Sequence, residues 1–458
     1  MKDVEIEKLL SGTGNLFITG PAGTGKSYIL NKYINEQSNV LVCAPTGIAA
    51  LHIGGETMHK QFHIPIPAFE APSFAKGRKD TITKGQLQVI ACADTIIIDE
   101  ISMCRNDVFR FAVKVIRKAE KLKGSKIRII VSGDFSQLPP VVKASEASLM
   151  KKFGLDASGY AFTTQEWKSL NFEVVELTDV KRQENADFIS ILNDIRLGKD
   201  IHLDYFERFV NEDPDYEDNI VICGTNARAD KINREYLDSL PGQAVVFQAY
   251  KEGRANYTSG FNNDLIVAKA GAKVIFISND TIEGKYKNGT FGVIKSFNEG
   301  SVMVDIDGND VEIRRQEYPV YSYSVSGSSL QKKEVGMIRQ FPFKIGKAIT
   351  IHKSQGQTFD RAIISPEIFA AGQLYVVLSR VRSPEGLTLL KPIEPKQLII
   401  DPVVEKFYRN GYIWDAPVKK TAVVKKAPVK KTAAKKSTGK TKTTRRAAQK
   451  PVKRRTSK

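Results

Sequence analysis

The sequence predicts two α/β domains, the second interrupted by a β-rich insertion. Three observations support that expectation. Short Val- and Ile-rich runs with almost no polar alternation recur in the first third, as parallel strands covered on both faces require. A helix-compatible stretch separates the first two of these runs, the β–α–β order of a doubly wound sheet. The same texture returns near the end, after a long stretch of short, glycine-punctuated strands.

In chain order, the expected buried strands are Leu16–Thr19, Val40–Ala44, Thr95–Ile98 and 127–132, with a helix over Lys26–Glu36. Residues 62–85 break the pattern with Pro65, Pro67, Pro72 and several charges, and predict a protruding loop or hairpin. Beyond Leu170 a strand is expected over 172–177, a helix over Ala186–Leu197 and a buried strand over 219–223. Within 242–343, strands are expected at 272–277, 292–297 and Ser301–Ile306. The turn signals Lys287-Asn288-Gly289 and Asp307-Gly308-Asn309 point to a small barrel there. Parallel α/β character resumes with a strand over 362–365 and a helix over 372–379.

Composition narrows the class. The chain has 458 residues, 41% hydrophobic and 26% charged, as a soluble globular protein of two or three domains would. It has no apolar run long enough for a membrane span, and its first residues lack the apolar centre of a secretion signal. Cys43, Cys92, Cys104 and Cys223 are scattered and form no CxxC pair, which argues against a disulfide scaffold or a four-cysteine zinc site and for a reducing, intracellular setting. The net charge of +18 belongs to one segment. Residues 416–458 hold 17 Lys and Arg and no acid, leaving 52 basic and 51 acidic residues in the body. That tail has too little apolar surface to offset ordering entropy and is expected to be disordered. Its end, Lys450-Pro451-Val452-Lys453-Arg454-Arg455, has the form of a nuclear import signal, so cytoplasm, nucleoid and nucleus all stay open.

Three stretches carry chemistry. Gly20-Pro21-Ala22-Gly23-Thr24-Gly25-Lys26-Ser27 fits GxxxxGK[ST] between a strand and a helix. Its glycines let successive N–H groups face phosphates, Lys26 supplies a point charge and the Ser27 hydroxyl can ligate Mg²⁺. Ile96-Ile97-Ile98 ends in Asp99-Glu100, one carboxylate for the metal and one for the attacking water. The expected strand over 127–132 opens into Gly133-Asp134-Phe135-Ser136-Gln137-Leu138-Pro139-Pro140, where a neutral amide can sense a terminal phosphate.

Taken together, these motifs resemble the superfamily 1B helicases of the Pif, RecD and Dda group. Further segments follow in the family's order. Ala44-Pro45-Thr46-Gly47-Ile48-Ala49-Ala50 with Gly54-Gly55-Glu56-Thr57-Met58-His59 is similar to motif Ia. Leu177 through Arg182-Gln183, with Phe188 to Asn193, is similar to motif IV. Residues 348–358 are similar to motif V and 372–381 to motif VI. The match spans about residues 14 to 390.

The resemblance implies two RecA-like domains with ATP and Mg²⁺ between them. Its domains would be 1–170 (1A, with a wedge-like 1B insertion at about 60–85), 171–241 with 344–415 (2A), and 242–343 (an SH3-like 2B insertion), before the tail at 416–458. It implies that Lys26, Glu100, Gln137, Arg182 and Arg380 are catalytic, the two arginines reaching across from the second domain. Gln355 and Gly356 would join the phosphate loop in binding ATP, and Ser27 and Asp99 would hold the metal. Thr46, His59, His352, Lys353 and Ser354 would grip single-stranded DNA, while Phe62 and Phe69 could stack on bases or equally be packing residues. The family usually carries a Gln upstream of the phosphate loop to read adenine, and Val4-Glu5-Ile6-Glu7 has none.

The activity implied is ATP-driven 5′-to-3′ movement on single-stranded DNA with unwinding at single-strand/duplex junctions, by a monomeric motor with no membrane partner. The tail adds sequence-independent affinity for DNA, RNA or chromatin-like DNA. Two other readings fit the same residues: a translocase that remodels without unwinding, and a nucleoid-organising protein whose main function is the tail.

Overall fold

Buried Ile and Val runs pair into two parallel sheets, seen in a computed structural model that describes residues 10, 12–65, 68, 82–199, 203–216, 219–257, 264–278, 280, 283–286, 290–326 and 329–413. Val4–Glu7, Phe69 with most of the expected wedge, the Lys287–Gly289 turn and the basic tail lie outside these residues. Among the described residues, no helix is long and apolar enough to cross a membrane.

The first sheet contains β1 (Leu16–Thr19), β2 (Val40–Ala44), β3 (Glu56–Thr57), β4 (Thr95–Ile98), β5 (Arg128–Ser132) and β6 (Glu173–Glu176), in the order β3-β2-β4-β5-β1-β6. Every residue of β1, β4 and β5 is buried, which explains their unbroken apolar character. These three strands are adjacent, so the phosphate loop, Asp99-Glu100 and the Gln137 loop all emerge at one edge. In open α/β sheets, ligands bind at that carboxyl edge.

The second sheet contains β7 (Ile220–Cys223), β8 (Ala348–Thr350), β9 (Ala362–Ile364) and β10 (Leu387–Leu389), in the order β8-β7-β9-β10, again all parallel. The helix Ala186–Leu197 covers it, beginning at Asn185, whose side chain accepts from the Phe188 N–H, and ending at Gly198 in the left-handed region.

Between β7 and β8 lies the β-rich insertion. Its five-stranded antiparallel sheet runs Asn309–Arg314, Ser301–Ile306, Phe291–Asn298, Lys273–Phe276, Phe343–Ile345 around a core that includes Val274, Phe276, Val304 and Phe343. Among the described residues the pairings leave this order open. A long hairpin, Gln316–Ser326 with Ser329–Gln340, extends from it to the first lobe. There the Leu330 N–H donates to Asn39 Oδ1 at 2.9 Å and Lys332 Nζ to the Gly54 carbonyl at 2.5 Å.

Two segments fall on the other side of the expected domain boundary. The strand beyond Leu170 is β6, and it pairs with β1 through Leu16↔Glu173 and Thr19↔Glu176, so it closes the first sheet. The helix Pro402–Arg409, expected in the second domain, returns to the first. It starts at Asp401, whose carboxylate caps the Val403 N–H and accepts from the Tyr160 hydroxyl at 3.1 Å. Phe407 of this helix stacks on Phe162 at 4.1 Å and 11°, inside an aromatic cluster with Phe17, Phe135 and Trp167. Only the paired backbone and the packed rings reveal this allegiance; sequence order alone pointed the other way.

Candidate active site

The phosphate loop is shaped by its neighbours. A Cβ on Gly20 (φ 135°) would lie 2.2 Å from the Leu177 carbonyl oxygen, and one on Gly23 (φ 81°) would lie 2.6 Å from Arg182 Cβ. Glycine is therefore required at both positions by close approach as well as by backbone angle. Lys26 Nζ donates to the carbonyls of Gly20 (2.8 Å) and Pro21 (2.9 Å), curling the loop around its own ammonium. Burial lowers the Lys26 pKa, and the carboxylates of Asp134, Glu100 and Asp99 oppose that shift.

Ser27 Oγ donates to Asp99 Oδ2 at 3.3 Å, joining the two expected metal-holding groups. Asp99 Oδ1 accepts from the Glu100 N–H at 2.9 Å. Glu100 itself sits at φ 52°, in the left-handed region that a non-glycine residue seldom occupies, as backbone strain at active sites often does. Its carboxyl pKa is raised, first by burial and then by the negative charge of Asp99, while Lys26 and Arg380 pull it down.

Groups from the second lobe close over this edge. Gln355 Nε2 lies 3.1 Å from Glu100 Oε2 and 3.4 Å from Gln137 Oε1, bridging two expected catalytic residues. The Ala22 N–H donates to the Tyr375 hydroxyl at 2.7 Å, and a Cβ on Gly372 would lie 2.2 Å from the Gln137 carbonyl oxygen. Tyr375, within the 372–381 segment, was given no role from the sequence because nothing local marks a tyrosine as a partner for a loop 353 residues away.

Arg380 is buried beside the cleft and Arg182 is half-buried there. Arg182 Nη1 donates to the Ser379 carbonyl at 3.1 Å, and burial pushes its pKa down to about 10. Arg380, 1% exposed, donates to the Val376 carbonyl (2.7 Å), the Ser379 hydroxyl (2.7 Å) and, at longer range, the carbonyls of Ser354 and Gln357. Burial, then the positive charge of Arg182, lowers the Arg380 pKa. Among the described residues neither guanidinium has a carboxylate salt-bridge partner. Two neighbouring guanidiniums without such a partner favour an anion beside them.

A cavity of about 770 Å³ runs from Ser27, Asp99 and Glu100 to Thr46, His352 and Lys353, so both carboxylates of the pair and three of the expected DNA-gripping residues share one space. His52 and Phe369 line it too; neither was singled out from the sequence, although Phe369 is 60% exposed. Two expectations need correction. Phe62 is fully buried in the first lobe's core, at the end of the short helix Met58–Gln61, and leaves no ring face for a base. Ser354 is equally buried, its hydroxyl committed to the Ile351 carbonyl of its own helical turn at 2.8 Å. His59 is half-buried near Asp107 and Arg105, outside the lining of that cavity.

A phosphate loop, a carboxylate pair and the Gln137 amide at one sheet edge, with Arg182 following that sheet's last strand and Arg380 coming from the second lobe, define a two-lobed P-loop ATPase. The family model described as PIF1-like helicase matches residues 4–204. The ATP-dependent DNA helicase Pif1 of Campylobacter jejuni is 29% identical over 462 residues, covering 92% of this chain and 99% of that protein. The crystal structure of Bacteroides sp Pif1 in complex with ADP-AlF4 superposes with a TM-score of 0.79 at 30% identity, covering 89% of this chain and 96% of that one. Bacteroides Pif1 bound to ssDNA gives 0.63 at 30% identity, with 90% and 97% covered. The chain belongs to the PIF1-like helicase family.

Proposed function

We propose that the chain is an ATP-dependent DNA helicase that hydrolyses ATP between its lobes, moves 5′-to-3′ on single-stranded DNA and opens duplexes at junctions. The observation that carries this reading is the contact across the cleft: Gln355 of the second lobe bridges Glu100 and Gln137 of the first, and the guanidiniums of Arg182 and Arg380 both donate to Ser379 beside them. The phosphate-loop amides and Lys26 bind the phosphates. Glu100 accepts the proton of the attacking water, which Gln137 and Gln355 orient, and the arginines offset the charge that builds on the transferred group. Ser27 and Asp99, a hydroxyl and a carboxylate already in contact, suit Mg²⁺. That ion would supply neutralisation of phosphate charge.

Thr46, His352, Lys353 and Phe369 are the groups assigned to the strand. Closure on ATP and reopening on product release move one lobe's grip relative to the other, which converts hydrolysis into steps. The motor acts as a monomer inside the cell, and the tail adds affinity for DNA or RNA independent of sequence.

Matched 5′-tailed and 3′-tailed duplexes test activity and direction together. Unwinding of the 5′-tailed substrate alone is expected, and its loss, together with hydrolysis, in Lys26→Ala. A Lys26→Ala chain that still unwinds would overturn the assignment. DNA-stimulated hydrolysis without unwinding of either substrate would replace it with the translocase reading.

A further inference from the structure

Asp134 lies three residues before the sensor Gln137 and is fully buried. Its backbone shapes the sensor turn, because the Gln137 N–H donates to the Asp134 carbonyl at 2.9 Å and the Ser136 N–H to Asp134 Oδ1 at 3.1 Å. Both carboxylate oxygens are taken up by distant segments. Arg196 Nε, on the second lobe's Ala186–Leu197 helix, donates to Oδ2 at 3.0 Å. The Tyr408 hydroxyl, on the returning C-terminal helix, donates to Oδ1 at 2.8 Å. The Arg196 guanidinium also lies over the Tyr408 ring, 5.3 Å from its centroid.

We propose that Arg196 and Tyr408 are positioning residues for hydrolysis, forming with Asp134 a three-part latch that fixes the Gln137 loop when the lobes are closed. The inference rests on the ATP-driven motor reading and adds residues to its closure step. Three features support it beyond a structural ion pair. The three groups come from three separate segments, so the latch closes only when the first lobe, the second lobe and the terminal helix are all in place. The Arg196 side chain is 3% exposed and that of Asp134 0%, so separating them would cost each buried charge its ionic partner. The charge of Asp134 also reaches Lys26 and Glu100, which ties the latch to the phosphate site.

The test compares the full chain with Tyr408→Phe, Arg196→Gln and Arg196→Lys. A hydrogen bond to a charged group is worth enough to change a rate by roughly ten- to a hundredfold. Tyr408→Phe and Arg196→Gln should therefore lower DNA-stimulated kcat by about tenfold or more while KM for ATP moves by less than about threefold. Affinity for ADP-AlF4 should fall while affinity for ADP is unchanged, and Arg196→Lys should recover part of the loss. Tyr408→Phe keeps the ring and removes one hydroxyl, so it remains informative if Arg196→Gln fails to fold. Variants that lose only thermal stability, with kcat and ADP-AlF4 affinity intact, would overturn the latch. Hydrolysis by the unaltered chain reports on the motor reading, and the variant-to-parent ratios report on the latch, so the two failures are distinct.

Discussion

Glu100 carries the clearest consequence at the residue scale. Its pKa is raised by burial and by Asp99, and in its proposed role of general base it must be deprotonated to act. Activity governed by it is present above the raised pKa and lost as pH falls through it. The acid limb of the DNA-stimulated rate should therefore lie higher than an ordinary carboxylate would place it, and a pH–rate profile reads this directly. Glu100→Gln should abolish hydrolysis while leaving nucleotide affinity in place. Phe369, 60% exposed on the cavity wall, is suited to stack on a base. Phe369→Ala should weaken single-stranded DNA binding by about 1–3 kcal/mol, measured by fluorescence anisotropy, with DNA-free hydrolysis unchanged. An unaltered anisotropy curve would remove Phe369 from the strand path. The placement of the 20–27 loop and of Asp99 and Glu100 at one sheet edge was legible in the sequence because each follows a strand whose apolar run locates it. Phe62 was misread because a lone aromatic carries no local sign of the direction it faces, and here it faces the core.

At the scale of elements, short apolar strands and capped helices could be read from periodicity, and Leu16–Thr19, Lys26–Glu36 and Ala186–Leu197 appear where expected. Their partners could not be read. β6 joins β1 and the Pro402–Arg409 helix joins the first lobe through contacts between residues remote in sequence, which no local pattern encodes. The contacts of Asp134 with Arg196 and Tyr408 could not be read for the same reason. The terminal helix should be a substantial part of the first lobe's stability. Phe407 is fully buried and stacked on Phe162, so Phe407→Ala should destabilise the protein by about 3–5 kcal/mol, seen as a lower denaturation midpoint. A near-neutral result would mean that the helix is docked without contributing to the core.

At the scale of the whole molecule, the charge distribution separates two kinds of DNA affinity. The body is nearly balanced and the 416–458 segment is wholly cationic. Truncation after Asp415 should weaken binding and flatten the dependence of log K on log salt by about 0.7–0.9 per phosphate no longer engaged, with maximal DNA-stimulated hydrolysis retained. Salt titrations of the full and shortened chains measure both slopes, and identical slopes would assign the tail a different role.

The return of the last described helix to the first lobe also bears on how the protein is made. A ribosome releases the N-terminal lobe long before it releases Phe407, so the aromatic cluster of that lobe stays unfilled until the second lobe and its insertion have emerged. The half that is synthesised first is completed last.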